Sequence, residues 1–254
     1  MLAELSGKTA LVTGASRGIG AATALDLAQN GCRRVLIHYN SHAHGAAQVM
    51  ERIRAAGAET EALQADLSTP EGIRSLRGQM QEKAPEVDLL INNAGSLVRR
   101  ASLLDFTEEL FDQVMDLNFR SAWFLSQQAA PHMIRQGWGV IVNVSSIAAR
   151  HGGGPGAAIY SASKAAVACI TKGMAKDLAP KGVRVNAVSP GTVDNYFHER
   201  FSTREMLDGV VKATPAGKLG TDREVADAIL FLCSNRSSYI HGQTIEINGG
   251  MFMV

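Results

Sequence analysis

Cysteine is scarce in this chain of 254 residues: there are three, Cys32, Cys169 and Cys233, odd in number and widely spaced. They outline no disulfide framework and no paired-thiol metal or redox motif, and a reducing cytoplasm is the compartment they fit. Cys169 lies in an apolar helical stretch and Cys233 follows Phe231-Leu232, so both are expected to be buried free thiols. An excess of charge is missing too. The formal net charge is +1, which exerts no pull toward nucleic acid or an acidic membrane surface. No apolar run approaches the roughly 20 residues that span a bilayer, and no basic segment leads into an apolar core near the start. The expectation is a soluble, unexported protein. Linkers, low-complexity segments, internal repeats and composition shifts are likewise absent, so residues 1–254 are expected to form one domain.

What is present is a globular balance, 46% hydrophobic and 19% charged, arranged in a strict rhythm. Short apolar runs at Lys8–Val12, Arg34–His38, Glu61–Ala65, Val87–Ile91, Val140–Val144, Val183–Val188 and Thr244–Ile247 read as strands. Helical patterns lie between them, near 18–29, 43–56, 71–82, 107–135, 158–179 and 222–234. Strands alternating with helices predict an α/β fold: a parallel sheet of about seven strands, doubly wound, with helices on both faces. The longest departure from the rhythm is 192–220, whose apolar positions suggest a short helical pair and a substrate lid.

Two constellations carry chemistry. The first is Thr13-Gly14-Ala15-Ser16-Arg17-Gly18-Ile19-Gly20, between the first strand and the first helix, which is the context a dinucleotide-binding turn requires. Gly14 permits a tight exit from the strand, Gly18 lets backbone approach a pyrophosphate, and Gly20 lets helix pack close to strand. Free amides and the helix dipole then favour phosphate. The second is Tyr160 and Lys164, one helical turn apart, with Ser146 and Asn118 upstream. A phenol and an ammonium on one helix face form a proton-transfer pair. The cation is expected to pull the phenol's pKa down from about 10 toward working pH, as a general acid or base requires. His38, His42 and His44 cluster without a carboxylate or cysteine, so no metal site is expected.

Taken in order, the glycine turn, Asn92-Asn93-Ala94-Gly95, Asn118, Ser146, Tyr160-x-x-x-Lys164 and Pro190-Gly191 closely resemble the classical short-chain dehydrogenases/reductases, over nearly the whole chain. The resemblance implies a Rossmann-type sheet in the order 3-2-1-4-5-6-7. It implies an oxidoreductase that passes a hydride between a nicotinamide cofactor and a carbonyl or alcohol. Tyr160 is then the general acid/base, Lys164 lowers its pKa and holds the nicotinamide ribose, Ser146 orients the substrate oxygen, and Asn118 holds a water that links Lys164 to solvent. Cofactor contacts are implied at Gly14, Ser16, Arg17, Gly18, Ile19, Gly20, Asn40, Ser41, Asp66, Leu67, Asn93, Ala94, Gly95, Tyr160, Lys164, Pro190, Gly191 and Val193. Asn195 stands where family members often carry threonine. At the end of the second strand, His38-Tyr39-Asn40-Ser41-His42 offers no carboxylate to the adenosine ribose, while Arg17 can reach a 2′-phosphate. NADP(H) is therefore expected over NAD(H).

For the substrate, a small molecule, a 3-oxoacyl-thioester reductase and a sugar or polyol dehydrogenase are both compatible. Arg135, Lys172 and Lys176 are candidate contacts for a carrier phosphate, and Arg99 and Arg100 for an anionic substrate. A non-catalytic NADP(H)-binding sensor on the same scaffold is the alternative in a different class. The resemblance also implies a homo-oligomer, usually a tetramer.

Overall fold

The computed structural model describes residues 5–254. Seven parallel strands form one sheet: β1 (Thr9–Val12), β2 (Arg34–Tyr39), β3 (Ala62–Gln64), β4 (Leu89–Asn92), β5 (Gly139–Val144), β6 (Val183–Pro190) and β7 (Thr244–Ile247), in the order 3-2-1-4-5-6-7. Each lies on a run expected from the sequence, within a residue or two at either end. The inner strands β1, β4, β5 and β6 are buried along their full length, which is why they read as continuous apolar runs rather than alternating ones.

Period-two geometry divides their side chains between two cores. Ala10, Val12, Val35, Ile37, Leu89 and Ile91 face one side, where they pack on helices α1 (Gly18–Gln29), α2 (Ala43–Ala55) and α10 (Asp222–Cys233). Leu11, Leu36, Leu90 and Ile141 face the other, against α3 (Pro70–Lys83), α5 (Ser121–Gln136) and α7 (Ala158–Leu178). Polar caps fix where several helices begin. Thr69 accepts from Gly72 N, with Pro70 in the first turn of α3. Thr221 and Glu224 cap each other's backbone at the start of α10.

Two expectations need correction. The helical pattern over 107–135 is not one helix. It is α4 (Glu108–Met115), a π-helical turn at Asp116–Arg120, then α5, because the Asn118 side chain bonds to the backbone instead of leaving the helix regular. Cys169 is exposed, whereas Cys32 and Cys233 are buried. In α7 the core-facing stripe runs through Val167, Thr171 and Met174, and Cys169 falls outside it. The remaining helices are α6 (Ala148–His151), α8 (Tyr196–Phe201) and α9 (Arg204–Ala213); the last two form the expected helical pair within 192–220.

Candidate active site

All strands of a parallel sheet end on the same rim, and the order reverses between β1 and β4, so the crevice opens there. A cavity of about 900 Å³ fills it, a volume in the usual range for ligand sites.

The glycine turn forms one wall. Gly14 and Gly18 both take φ of +63°, a conformation side chains disfavour. A Cβ on Gly14 would lie 2.9 Å from Ala94 Cα, and one on Gly20 would lie 2.5 Å from both Gly14 O and Asn93 Nδ2. The turn is thus packed from behind, while nothing stands closer to a Cβ on Gly18 than Asp222 Oδ1 at 3.7 Å. Three neighbours clamp it. Asn93 Nδ2 donates to Thr13 O and Gly14 O at 2.8 and 3.1 Å. Thr13 Oγ1 accepts from the amides of Asn93 and Ala94, each at 3.0 Å. Gly14 N donates to His38 Nδ1 at 3.2 Å, while the far nitrogen of that ring meets Ala65 O at 3.0 Å. Sequence reasoning missed this role for His38. Nδ1 must accept and Nε2 must donate, so the ring is neutral, and burial pushes its pKa down to about 4.

The end of β2 continues the wall. Asn40, Ser41 and His42 line the cavity, and His42 Nδ1 is buried with no protein partner among the described residues. Arg17 lays its guanidinium over the Tyr196 ring at 3.8 Å, and stacking leaves its in-plane donors free. Asp66 accepts from Ser68 N and Ser68 Oγ through one oxygen, so part of its role is the turn into α3. Leu67 is buried in the core. An open glycine turn and a free guanidinium edge along one trough, with Asn40 and Ser41 lining the same cavity, fit a dinucleotide.

The second constellation lies at the inner end. Ser145 and Ser146, indistinguishable as caps in sequence, part ways. Ser145 is buried, and its Oγ donates to Lys164 O at 2.8 Å; Ser146 lines the cavity with Tyr160, its Oγ accepting from Ala148 N at 3.1 Å. Tyr160 and Lys164 share α7, with Lys164 Nζ 5.8 Å from the centre of the Tyr160 ring. The ammonium is anchored instead on Val144 O at 2.8 Å, and burial pulls its pKa down to about 8. The expected lowering of the phenol is not what this arrangement gives. Burial pushes Tyr160 up to about 12, with the neighbouring Ser146 hydroxyl acting against that rise. Desolvation of the phenol is the largest effect and sets the direction.

Asn118 adjoins Lys164 through Gly95, where a Cβ would sit 2.7 Å from both Asn118 Oδ1 and Lys164 Nζ. The asparagine is held on both sides: Nδ2 donates to Ser96 O and Val114 O, each at 2.8 Å, and Oδ1 accepts from Ser96 N at 3.1 Å. Those bonds hold the π-helical turn beside the lysine. Between Ser146 and Tyr160 the chain turns after α6 through Gly152, Gly153 and Gly156, all with positive φ.

Opposite the glycine turn, Pro190 ends β6, and a Cβ on Gly191 would strike Asn248 Cα at 2.9 Å. Gly220 takes Thr192 O and Asp194 N, which leaves Val193's own amide pointing the other way. Asn195 is occupied as the cap of α8 and as a donor to Asp222 Oδ1 at 2.7 Å. Arg100 lines the cavity while Arg99 is exposed. Arg135, Lys172 and Lys176 do not line it. Arg135 stands just before β5 begins, at the opposite rim, and Lys172 is about 18 Å along α7 from Tyr160 at 1.5 Å per residue. No group of three or more histidines, cysteines or carboxylates able to hold a metal occurs among the described residues.

A family model described as enoyl-(acyl carrier protein) reductase matches residues 14–252. The 3-oxoacyl-[acyl-carrier-protein] reductase of Staphylococcus aureus is 38% identical over 246 residues, covering 97% of this chain and 98% of that one. The chain belongs to the short-chain dehydrogenase/reductase family. As a member, it is an NAD(P)-dependent oxidoreductase acting on CH–OH groups. Solved structures of similar short-chain reductases carry both cofactors. The NADH-dependent reductase A1-R′ complexed with NAD is 33% identical, with a TM-score of 0.87 and full coverage of both chains. The putative NAD(P)-dependent gluconate 5-dehydrogenase of Beutenbergia cavernae, with bound NADP, is 33% identical with a TM-score of 0.89, covering 97% of each chain. No helix of the described residues is long and apolar enough to cross a membrane.

Proposed function

We propose that the protein is an NADP(H)-preferring carbonyl reductase in which Tyr160 is the proton donor, Ser146 orients the carbonyl oxygen, Lys164 supplies the neighbouring positive charge, and Asn118 holds the turn beside that lysine. The observation that carries this reading is that Ser146, Tyr160 and Lys164 together line the inner end of one cavity, with Lys164 Nζ 5.8 Å from the centre of the Tyr160 ring. Two hydroxyls on one cavity wall can then meet one substrate oxygen. A phenol held near 12 stays protonated at neutral pH, which suits donation to a carbonyl being reduced.

Bound in the trough, the nicotinamide cofactor would supply the hydride. Its phosphates would be held at Ser16, Gly18, Ile19 and Gly20, its adenosine at Asn40, Ser41, Asp66 and the Leu67 backbone. Its nicotinamide end would lie against Ala94, Gly95, Lys164, Pro190, Gly191 and the Val193 amide. Preference for the 2′-phosphate rests on the carboxylate-free end of β2 and on Arg17, whose edge faces the cavity. Arg17→Ala should lower kcat/KM for NADPH about tenfold and leave the value for NADH within a factor of two, as loss of one charged hydrogen bond predicts.

The decisive variant is Tyr160→Phe. Turnover should fall by about 10²–10⁴-fold, the usual share of a general acid, with NADPH affinity nearly unchanged by fluorescence titration. Full NADPH binding without oxidation by any ketone in the wild type would instead favour the sensor reading. Comparing 3-oxoacyl thioesters, enoyl thioesters and oxo sugars or polyols then sorts the substrate class.

We further propose one domain over 1–254, with 192–220 as its lid. The apolar side chains exposed at Leu103, Leu104, Phe111, Trp123, Phe231 and Tyr239 support a homo-oligomer, a tetramer by resemblance. The three unpaired thiols support a cytoplasmic setting.

A further inference from the structure

Beyond Tyr160, the cavity is walled by α8, by the segment after β4 and by the loop at 152–156. Arg100 spans all three. Its Nε donates to Phe201 O at 2.9 Å and its Nη1 to Pro155 O at 2.6 Å. Those bonds take two of five N–H donors and leave three unspent among the described residues. Arg200, from α8, donates to Val98 O at 3.5 Å and lies 5.1 Å from the centre of the Phe201 ring. Neither guanidinium forms an ion pair among the described residues, although nearby Arg150 is paired with Glu246. His198 stands between them in sequence, its Nδ1 against Ser202 Oγ at 3.0 Å, with the charges of Arg100 and Asp194 both felt at its ring.

Arg100 is half-buried and Arg200 exposed, both line the cavity, and their unspent N–H donors would give a carboxylate charge-assisted hydrogen bonds there. The Phe197 ring lies 5.8 Å from Tyr160 and 5.1 Å from both Phe201 and His198, so aromatic rings run from the phenol to the segment that carries Arg200 and binds Arg100. A carboxylate carried on the substrate itself meets that wall inside the cavity, and the span is read from substrates of graded chain length. We propose that Arg100 and Arg200 form a carboxylate-recognition site, making the substrate a small oxo acid or the corresponding hydroxy acid. This deepens the reductase reading and rests on it for the reaction, but not for binding.

The test compares 5-oxohexanoate, 6-oxoheptanoate, 7-oxooctanoate and 5-oxogluconate with their methyl esters, and with a phosphorylated ketone of similar length. In the wild-type enzyme with NADPH, kcat/KM for at least one acid should exceed that of its ester by about 10- to 100-fold, the range of a charged hydrogen bond. Arg200→Gln and Arg100→Lys should each narrow that ratio to below about threefold while NADPH affinity holds. Esters used as well as acids, a preference for the phosphate, or a ratio untouched by both variants would overturn the proposal. Calorimetry of acid binding to the NADP⁺-loaded protein gives a readout without turnover. Acid binding that weakens at least tenfold in both variants, yet no reduction of any ketone, would sink the reductase reading alone. Reduction of neutral ketones without acid binding would sink the carboxylate site alone.

Discussion

At the residue scale, two buried titratable groups give pH signatures of opposite origin. His38 is held neutral with a folded pKa of about 4 against an ordinary 6.5. The unfolded chain therefore binds the extra proton first, and stability present above pH 6.5 drains away as pH falls toward 4. The full effect is about 3 kcal/mol, and His198 shifts in the same direction. Urea titrations across that window should show His38→Gln losing roughly half of the wild-type acid slope; an unchanged slope would mean that the ring is not the proton acceptor. Lys164 acts on the alkaline side. With its pKa pulled down to about 8, the amine loses its charge above that value, so kcat/KM for reduction should be level below pH 8 and decline beyond it. A break nearer 10.5 would mean that the burial of Nζ is not felt.

Residue identities at the site were largely legible; their energetics were not. Spacing alone placed Tyr160 and Lys164 on one helix face, and the flanking pattern put the glycine turn between strand and helix. The sign of the phenol's shift was out of reach because it depends on how much protein surrounds the oxygen and on where Nζ points. A sequence encodes neither directly. His38 was hidden for the same reason: a histidine within a strand gives no sign of meeting a glycine amide from another strand.

At the element scale, the feature with the sharpest consequence is the π-helical turn at Asp116–Arg120. A poor helix former inside a long helical pattern signalled an irregularity, and Asn118 produces one by bonding Val114 O and both backbone groups of Ser96. Asn118→Ala strips these partners at once. At about 1–3 kcal/mol for an unsatisfied buried group, thermal denaturation should show a loss of about 2–4 kcal/mol, with kcat falling as the turn next to Lys164 relaxes. Gly95→Ala probes the same contact from the other side. Its methyl would sit 2.7 Å from both Asn118 Oδ1 and Lys164 Nζ, so activity should drop while the remainder of the fold persists by circular dichroism. Element boundaries elsewhere were legible because buried parallel strands are short, apolar and punctuated by glycine or proline.

For the whole molecule, thiol accessibility is a simple global check. Cys169 is exposed, whereas Cys32 and Cys233 are buried, and burial drives both of their pKa values upward, Cys32 to about 12. Native protein should release one equivalent of thionitrobenzoate from Ellman's reagent quickly, and three after denaturation. Two or more fast equivalents in the native state would contradict the packing of α1 and α10 against the sheet.

The strand order has one more consequence. Because β1 lies between β2 and β4, the crevice draws its lining from Gly14 at one end of the chain to Met251 at the other. No stretch of sequence owns a fragment of it. Severing the backbone or melting a peripheral strand would scatter the reaction centre instead of trimming it, so catalytic loss and cooperative unfolding should follow a single curve.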